Sequence, residues 1–331
     1  IEIYKREYYE LFVFIYAFHM PLFIFISGYL AKRMRLSKIM NLILLYLIFQ
    51  TFFNWVLYMT GDYPLQFTYG TPHFHLWYIV SLGFWYGITL IIVKLPFNNI
   101  GKWSLFIIIL SISFISRWYT NDIVELVQHY HENFTSYTLS FQRTLSFMPF
   151  FFLGFFMSKQ WLTRIYDSVK NKLVLLIAFS FTMFLTFYYV ENSYGIESVF
   201  RGSFGTHRFL EDGDGFSIYL FKIFAHYLLA GLLCYLIMNL ITNKQNIFTK
   251  WGDHSLTIFL FHPIFIFILR QTEYLNDWSP STKLAIFLFI SILVTAVLGS
   301  STFVKLTIYI CNPYNTFASI INVSRNYIIK H

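Results

Sequence analysis

Nine stretches of about 20 mostly apolar residues follow one another along this chain, a pattern that restricts it to a membrane-spanning helical fold. They run over 10–30, 39–59, 75–93, 102–119, 143–158, 171–190, 217–241, 255–271 and 284–309. Composition agrees: 57% of residues are hydrophobic, 12% are charged, and mean hydropathy is +0.56. Soluble domains carry about 25% charged residues, and so little polar surface could not cover a water-soluble core. Phe suits a lipid-facing helix and Tyr and Trp suit its interfaces, and the chain holds 41 Phe and 25 Tyr. No soluble domain, repeat or low-complexity tract interrupts the series. The predicted fold class is all-α, a polytopic transmembrane helix bundle forming a single domain over 1–331.

The net charge of +8 does not point to nucleic acid, because the basic residues are scattered between apolar runs and form no stripe. Cys234 and Cys311 lie in or beside apolar runs without a CxxC partner, so they read as inert packing residues. No HExxH or comparable spacing suggests a metal site.

The basic residues instead report topology. Fifteen fall on one side of the alternating connections: Lys32, Arg33, Arg35 and Lys38, then Lys94 and Lys102, then Lys159, Arg164, Lys170 and Lys172, then Lys244 and Lys250, and finally Lys305, Arg325 and Lys330. Eight fall on the other: Lys5, Arg6, Arg117, Arg143, Arg201, Arg208, Arg270 and Lys283. Positive residues collect in the cytoplasm, so the richer side is expected to be cytoplasmic, with the C-terminus. Nine spans then put the start of the chain outside. It begins with Ile1 and shows no signal peptide. The expectation is a tenth, preceding helix in the full-length protein.

Ionisable residues inside a membrane are costly and are candidates for function. His19 lies in the outer half of the first span, and His73 and His75 sit where the third begins, at the outer surface. Arg143 opens the fifth. Lys222 and His226 share one face of the seventh by i,i+4 spacing. His262 is near mid-depth in the eighth, with Arg270 at its outer end. All belong to the outer half of the bundle and are expected to converge on one cavity. Each also has a plainer reading. His19 and His262 stand near Pro21 and Pro263, and an imidazole there could do no more than satisfy a carbonyl freed by the proline. Arg143 could be a snorkelling anchor, and Lys222 and His226 could merely line a wet cavity. His129, His131 and His207 fall in a polar connection and read as solvated.

Four segments carry a resemblance. Phe18–Leu30, reading FHMPLFIFISGYL, resembles the second-helix signature of the acyltransferase-3 membrane family, in the branch related to fucose 4-O-acetylases. His75–Ile79, HLWYI, is similar to that branch's HLWYL motif; Ser255–Pro263, SLTIFLFHP, resembles its late S-L-x-I-Y-L-x-H-P segment; and Arg143 with Pro149–Gly154 resembles its R…PFFxxG helix. The match extends in order and spacing across nearly the whole chain. It implies a bundle of about ten helices that takes an acyl group, usually acetyl, from cytoplasmic acyl-CoA to a hydroxyl of an extracytoplasmic glycan or lipid-linked sugar, in the cytoplasmic membrane of a bacterium. The family's first helix bears a charged residue and, about ten positions later, a histidine taken to be catalytic. Nothing before Ile1 supplies it, which agrees with the missing helix that topology asks for.

On that reading His19, His75, Arg143 and His262 are the catalytic candidates. A histidine of near-neutral pKa takes the proton of an attacking sugar hydroxyl, and Arg143 or the Trp77 N–H faces the oxyanion. Lys222 and His226 join Trp77 as acceptor-binding candidates. Lys32, Arg33 and Arg35 are candidates for the phosphates of acetyl-CoA, and Gly28 and Gly154 would permit close helix approach. Two other functions fit a polytopic chain: a polysaccharide or lipid-linked sugar exporter, which should show paired repeats, and a non-catalytic sensor or anchor module.

Overall fold

The computed structural model describes residues 8–61, 64–166, 168–191, 196–203, 205, 210, 213–241, 244–270 and 278–330. Lys5, Arg6, His207, Arg208, His331 and the side chains of Arg270, Arg325 and Lys330 lie outside the described residues. The described elements are helical. In chain order they are α1 (Tyr9–Leu30), α2 (Leu36–Met59), α3 (Trp77–Ile92), α4 (Asn99–Trp118), α5 (Thr120–Gln128), α6 (Phe141–Phe156), α7 (Lys159–Tyr166) and α8 (Lys172–Glu191). There follow α9 (Ile196–Arg201), α10 (Phe216–Leu240), α11 (Ile247–Asp253), α12 (Ser255–Arg270), α13 (Pro280–Leu298), α14 (Ser301–Cys311) and α15 (Pro313–Lys330).

Among the described residues six helices are long and apolar enough to cross a membrane: α1, α2, α3 taken with the 3-10 turn Phe74–Leu76 that leads into it, α4, α10 and α13. A seventh arises if α11 and α12, bent by 87° at their junction, are one broken span. The nine expected from apolar runs are not all met by length. The 16 residues of α6 reach about 24 Å, short of the roughly 30 Å hydrocarbon layer. The run 284–309 is two helices, because Ser300 caps α14 by accepting from Phe303 N at 3.2 Å. α11 itself starts from a reciprocal capping box of Asn246 and Thr249, and at the bend between α11 and α12 His254 Nδ1 donates to Gly299 O at 2.7 Å. The outward faces suit lipid: Leu173, Ile177, Phe181 and Phe184 of α8 and Phe289 and Ile292 of α13 are all exposed, a density of apolar surface that water would not tolerate.

Two compact units share the chain. The first comprises Ile1–Ile3, Arg35–Gly83 and Lys244–His331. Its core is a stripe of α2 at helical spacing, Leu45, Tyr46, Phe49, Phe53 and Leu57, closed by Leu76, Ile79, Leu260, Phe267 and Cys311. The second comprises Tyr4–Met34 and Phe84–Asn243. There α1 is the central helix and buries Phe14, Ala17, Pro21, Ile24, Phe25 and Gly28 against α6, α8 and α10.

The closest packing in the second unit is the crossing of α1 and α6. A Cβ on Gly28 would stand 1.9 Å from Phe151 O, and one on Gly154 would stand 2.0 Å from Phe25 O. Only hydrogen fits at either place, so the backbones touch directly, as in close packing of membrane helices. A buried polar layer ties α4, α6 and α10 together. Ser113 Oγ lies 2.8 Å from Tyr227 OH, and both reach Ser146 O. Thr120 Oγ1 donates to Gln142 Oε1 at 2.9 Å, and Arg117, buried, donates from Nη2 to Val199 O at 3.0 Å. Sequence reading had counted Arg117 only as a topology signal. Cys234 and Cys311 are free and buried, as expected of packing residues.

At one end of the second unit Lys32 Nζ donates to Met157 O, Lys172 Nζ to Asn239 O and Tyr166 OH to Ile241 O at 2.9 Å. The connections beginning at Lys32, Lys159 and Ile241 therefore meet at the same end, as the charge asymmetry predicts.

Candidate active site

Within the first unit the structure brings together two of the histidines singled out in the sequence. The rings of His75 and His262 lie 5.1 Å apart, centroid to centroid, inclined at 53°. Aromatic edges wall the pair: Phe259 stands 4.5 Å and Phe53 5.6 Å from His75, both T-shaped, and Phe267 stands 5.9 Å from Phe53. Trp77, beside Tyr78, is buried in the same unit.

The two histidines differ in what holds them. His262 Nδ1 donates to Phe259 O at 2.9 Å and Ile258 O at 3.1 Å. Phe259 O is the carbonyl whose helical partner would be the N–H that Pro263 lacks, so the imidazole fills a gap the proline makes. In the neutral ring this bond fixes the proton on Nδ1 and leaves the Nε2 lone pair as the base. Both ring nitrogens of His75 are buried and have no hydrogen-bond partner among the described residues. An unsatisfied polar side chain in an apolar wall is costly.

Sequence reading placed His73 and His75 at the outer surface. In the structure both are partly buried, and the connection before α3 folds back along α2. Gln50, fully buried, donates from Nε2 to Thr68 O at 2.8 Å and Thr71 O at 2.9 Å, and its Oε1 accepts from His73 N at 3.0 Å. One turn on, Asn54 Oδ1 accepts from His73 Nε2 at 2.6 Å. Gln50 precedes the end of α2, at Met59, by nine residues, or roughly 14 Å at about 1.5 Å per residue. Backbone groups packed against a buried amide need such partners. Burial lowers the pKa of His73 below its ordinary value of 6.5, which keeps the ring neutral in this network. These amides carried a signal that the search for ionisable groups passed over: two polar residues at i,i+4 within an apolar span. Replacing Gln50 by Leu is expected to leave three backbone groups unpaired and to destabilise the fold by about 2–4 kcal/mol. The measurement is thermal unfolding of the purified protein, with proteolysis mapped to residues 64–73; unchanged cleavage there would count against the tether.

The remaining candidates lie as follows. His19, in the second unit, is half-buried; its Nδ1 donates to Ile15 O at 2.9 Å, and its ring stands edge-on to Tyr16 at 4.9 Å. That carbonyl is not the one Pro21 frees, which belongs to Ala17, so here the proline does not account for the bond. Arg143 in the same unit lies over the Tyr137 ring at 6.0 Å. Lys222 pairs with Asp214 at 3.1 Å, whereas His226, one turn further along α10, is buried edge-on against Phe200 at 4.5 Å. The i,i+4 pair thus meets two surroundings. Lys32 and Arg33 are exposed in the second unit, and Arg35 is exposed in the first. His129 and His131 are exposed.

The histidine pair, the proline-associated ring bond and the glycine crossing all fall on segments that carried the resemblance. The acyltransferase-3 family profile, described as an acyltransferase domain, matches residues 3–301. This chain belongs to the acyltransferase-3 family. Neither the curated proteins nor the solved structures yield a match. Membership makes a membrane acyltransferase the frame in which the His75–His262 pair is to be understood.

Proposed function

We propose that this chain transfers an acetyl group from cytoplasmic acetyl-CoA to a hydroxyl of an extracytoplasmic glycan or lipid-linked sugar. It would do so as a multi-pass protein of the bacterial cytoplasmic membrane with a cytoplasmic C-terminus, in the fucose 4-O-acetylase-like branch of its family. The observation that carries this reading is the His75–His262 pair, with the His262 tautomer set by Phe259 O. His262 Nε2 takes the proton of the acceptor hydroxyl as its oxygen attacks the thioester carbonyl. The carbonyl pair of electrons moves to oxygen and returns as the C–S bond breaks. The thiolate of CoA leaves and takes the proton back from the imidazolium, so charge and atoms balance. Arg143 or the Trp77 N–H is proposed to face the oxyanion, and Lys222 and His226 to contact the acceptor. Lys32, Arg33 and Arg35 are proposed to meet the donor's phosphates. Gly28 lies nine residues beyond His19 on α1, roughly 14 Å at about 1.5 Å per residue, a span that an extended pantetheine arm matches.

The test is mass spectrometry of surface glycans from paired strains with and without the gene. The expected result is a 42 Da increment per modified sugar in the expressing strain only, using the mass of acetyl replacing a hydroxyl hydrogen as about 42 Da. Unchanged glycan mass in a strain that makes the protein would refute the reading, and a loss of surface glycan without a mass change would favour export.

A further inference from the structure

A cavity of about 370 Å³ opens at the end of the second unit where Lys32 donates to Met157 O. It is bounded by the end of α1, the end of α3 and the turn after it, the start of α4, and the end of α6. Lys32 and Lys102 line it together with Phe97, Phe155, Phe156 and Ser158, and no carboxylate does. Two ammonium groups on one small cavity repel each other unless an anion lies between them. The Lys32 ammonium also stands 4.0 Å from the centroid of the Tyr29 ring, a contact that holds it at the rim. The start of α4 adds to the positive field: Asn98 caps it by accepting from Gly101 N at 2.7 Å, and its 20 residues direct their N-terminal dipole end here.

The rest of the wall is apolar, and the surface beside it continues that character. Val93 and Leu95 line the cavity and are exposed, and so is Trp103, next to Lys102. Exposed Trp and Lys at helix ends mark the depth of the lipid headgroups. A free inorganic ion would leave the phenylalanine wall unused; a hydrocarbon alone would leave two charges unmet.

We propose that this cavity binds the phosphate of an amphiphile, held between Lys32 and Lys102, with the attached neutral or apolar chain along Phe155 and Phe156. Two molecules at a cytoplasmic membrane face offer that chemistry: an anionic phospholipid and the acyl donor itself, whose phosphates join a pantetheine arm. The second source rests on the function proposed above; the first does not. Lys102 carries the new assignment, since Lys32 was already a donor candidate.

The experiment uses the full chain in nanodiscs. One arm titrates acetyl-CoA against protein in neutral phosphatidylcholine discs. The other measures, by native mass spectrometry, retention of phosphatidylglycerol over phosphatidylcholine. Lys102→Gln is compared with Lys102→Arg and with Lys94→Gln, which deletes the same charge from an exposed neighbour that does not line the cavity. Loss of one charge-assisted contact is expected to weaken one of the two ligands about tenfold, with Arg restoring most of it and Lys94→Gln changing neither. A response in the phospholipid arm alone identifies a lipid site, and one in the donor arm alone a donor site; either supports the proposal. Equal affinities for Lys102→Gln and Lys94→Gln in both arms overturn it. Acetyl transfer without binding here would leave the proposed function standing, and binding without transfer would leave this site standing, so the two fail separately.

Discussion

Replacing His262 by Asn should lower acetyl transfer by about 10²–10⁴-fold, the range for loss of a general base, while the protein folds and inserts normally. Asn is chosen because His262 has two possible duties. Its Nδ1–H occupies Phe259 O, the acceptor that Pro263 leaves without an amide partner. An Asn side-chain amide can donate to the same carbonyl but has no basic nitrogen. If the ring served only the helix backbone, Asn would keep activity near that of the parent. If the ring is the base, activity falls although the carbonyl remains bonded. Alanine at the same position would confound the two, since an orphaned carbonyl costs about 1–3 kcal/mol by itself. The measurement is incorporation of labelled acetyl into surface glycan, normalised to membrane-inserted protein. His75→Phe makes a second comparison. It removes two buried ring nitrogens without a partner among the described residues, so a purely structural His75 would tolerate it or gain stability, whereas a His75 that meets substrate would lose transfer.

The second large effect is on folding. Gly28→Ala and Gly154→Ala should each destabilise the protein by about 2–3 kcal/mol or more, at the upper end of overpacking, and together should prevent its accumulation. The added methyl meets backbone at both positions, Phe151 O in one case and Phe25 O in the other. A side chain could rotate away, but a helix backbone can yield only by separating α1 from α6 along their length. Gly87→Ala is the control, because nothing lies within 4 Å of the Cβ it would add. Fluorescence-monitored thermal unfolding in detergent is the readout. Melting temperatures for Gly28→Ala and Gly154→Ala that match Gly87→Ala would contradict the packing described.

Particular residues show what could be read from the sequence and what could not. Apolar length gave the membrane class, and the small residues Gly28 and Gly154 gave the place of close approach, since nothing but size is needed to see that a glycine admits a backbone. Polarity within apolar runs marked His75 and His262, which the fold then set side by side. Span ends were less legible. A hydrophobic run passes through Gly299–Ser300 without a break in composition, and only the Ser300 cap ends one helix and starts another. The fastening of the connection before His75 was not legible either, because Gln50 and Asn54, which hold it along α2, are uncharged. Uncharged amides have no weight in a reading built on ionisable groups, yet among apolar side chains they are the groups that can hold a loop.

That tether bears on how the site could be entered. A connection fastened at Thr68, Thr71 and His73 to a point well along α2 must break three hydrogen bonds to Gln50 before it can swing. On the side it occupies, the histidine pair is bordered by a tethered rim. If the proposed transfer takes place there, choice among acceptors becomes a question of contour, and an enlarged or narrowed acceptor range would be engineered by resculpting that rim rather than by loosening a hinge.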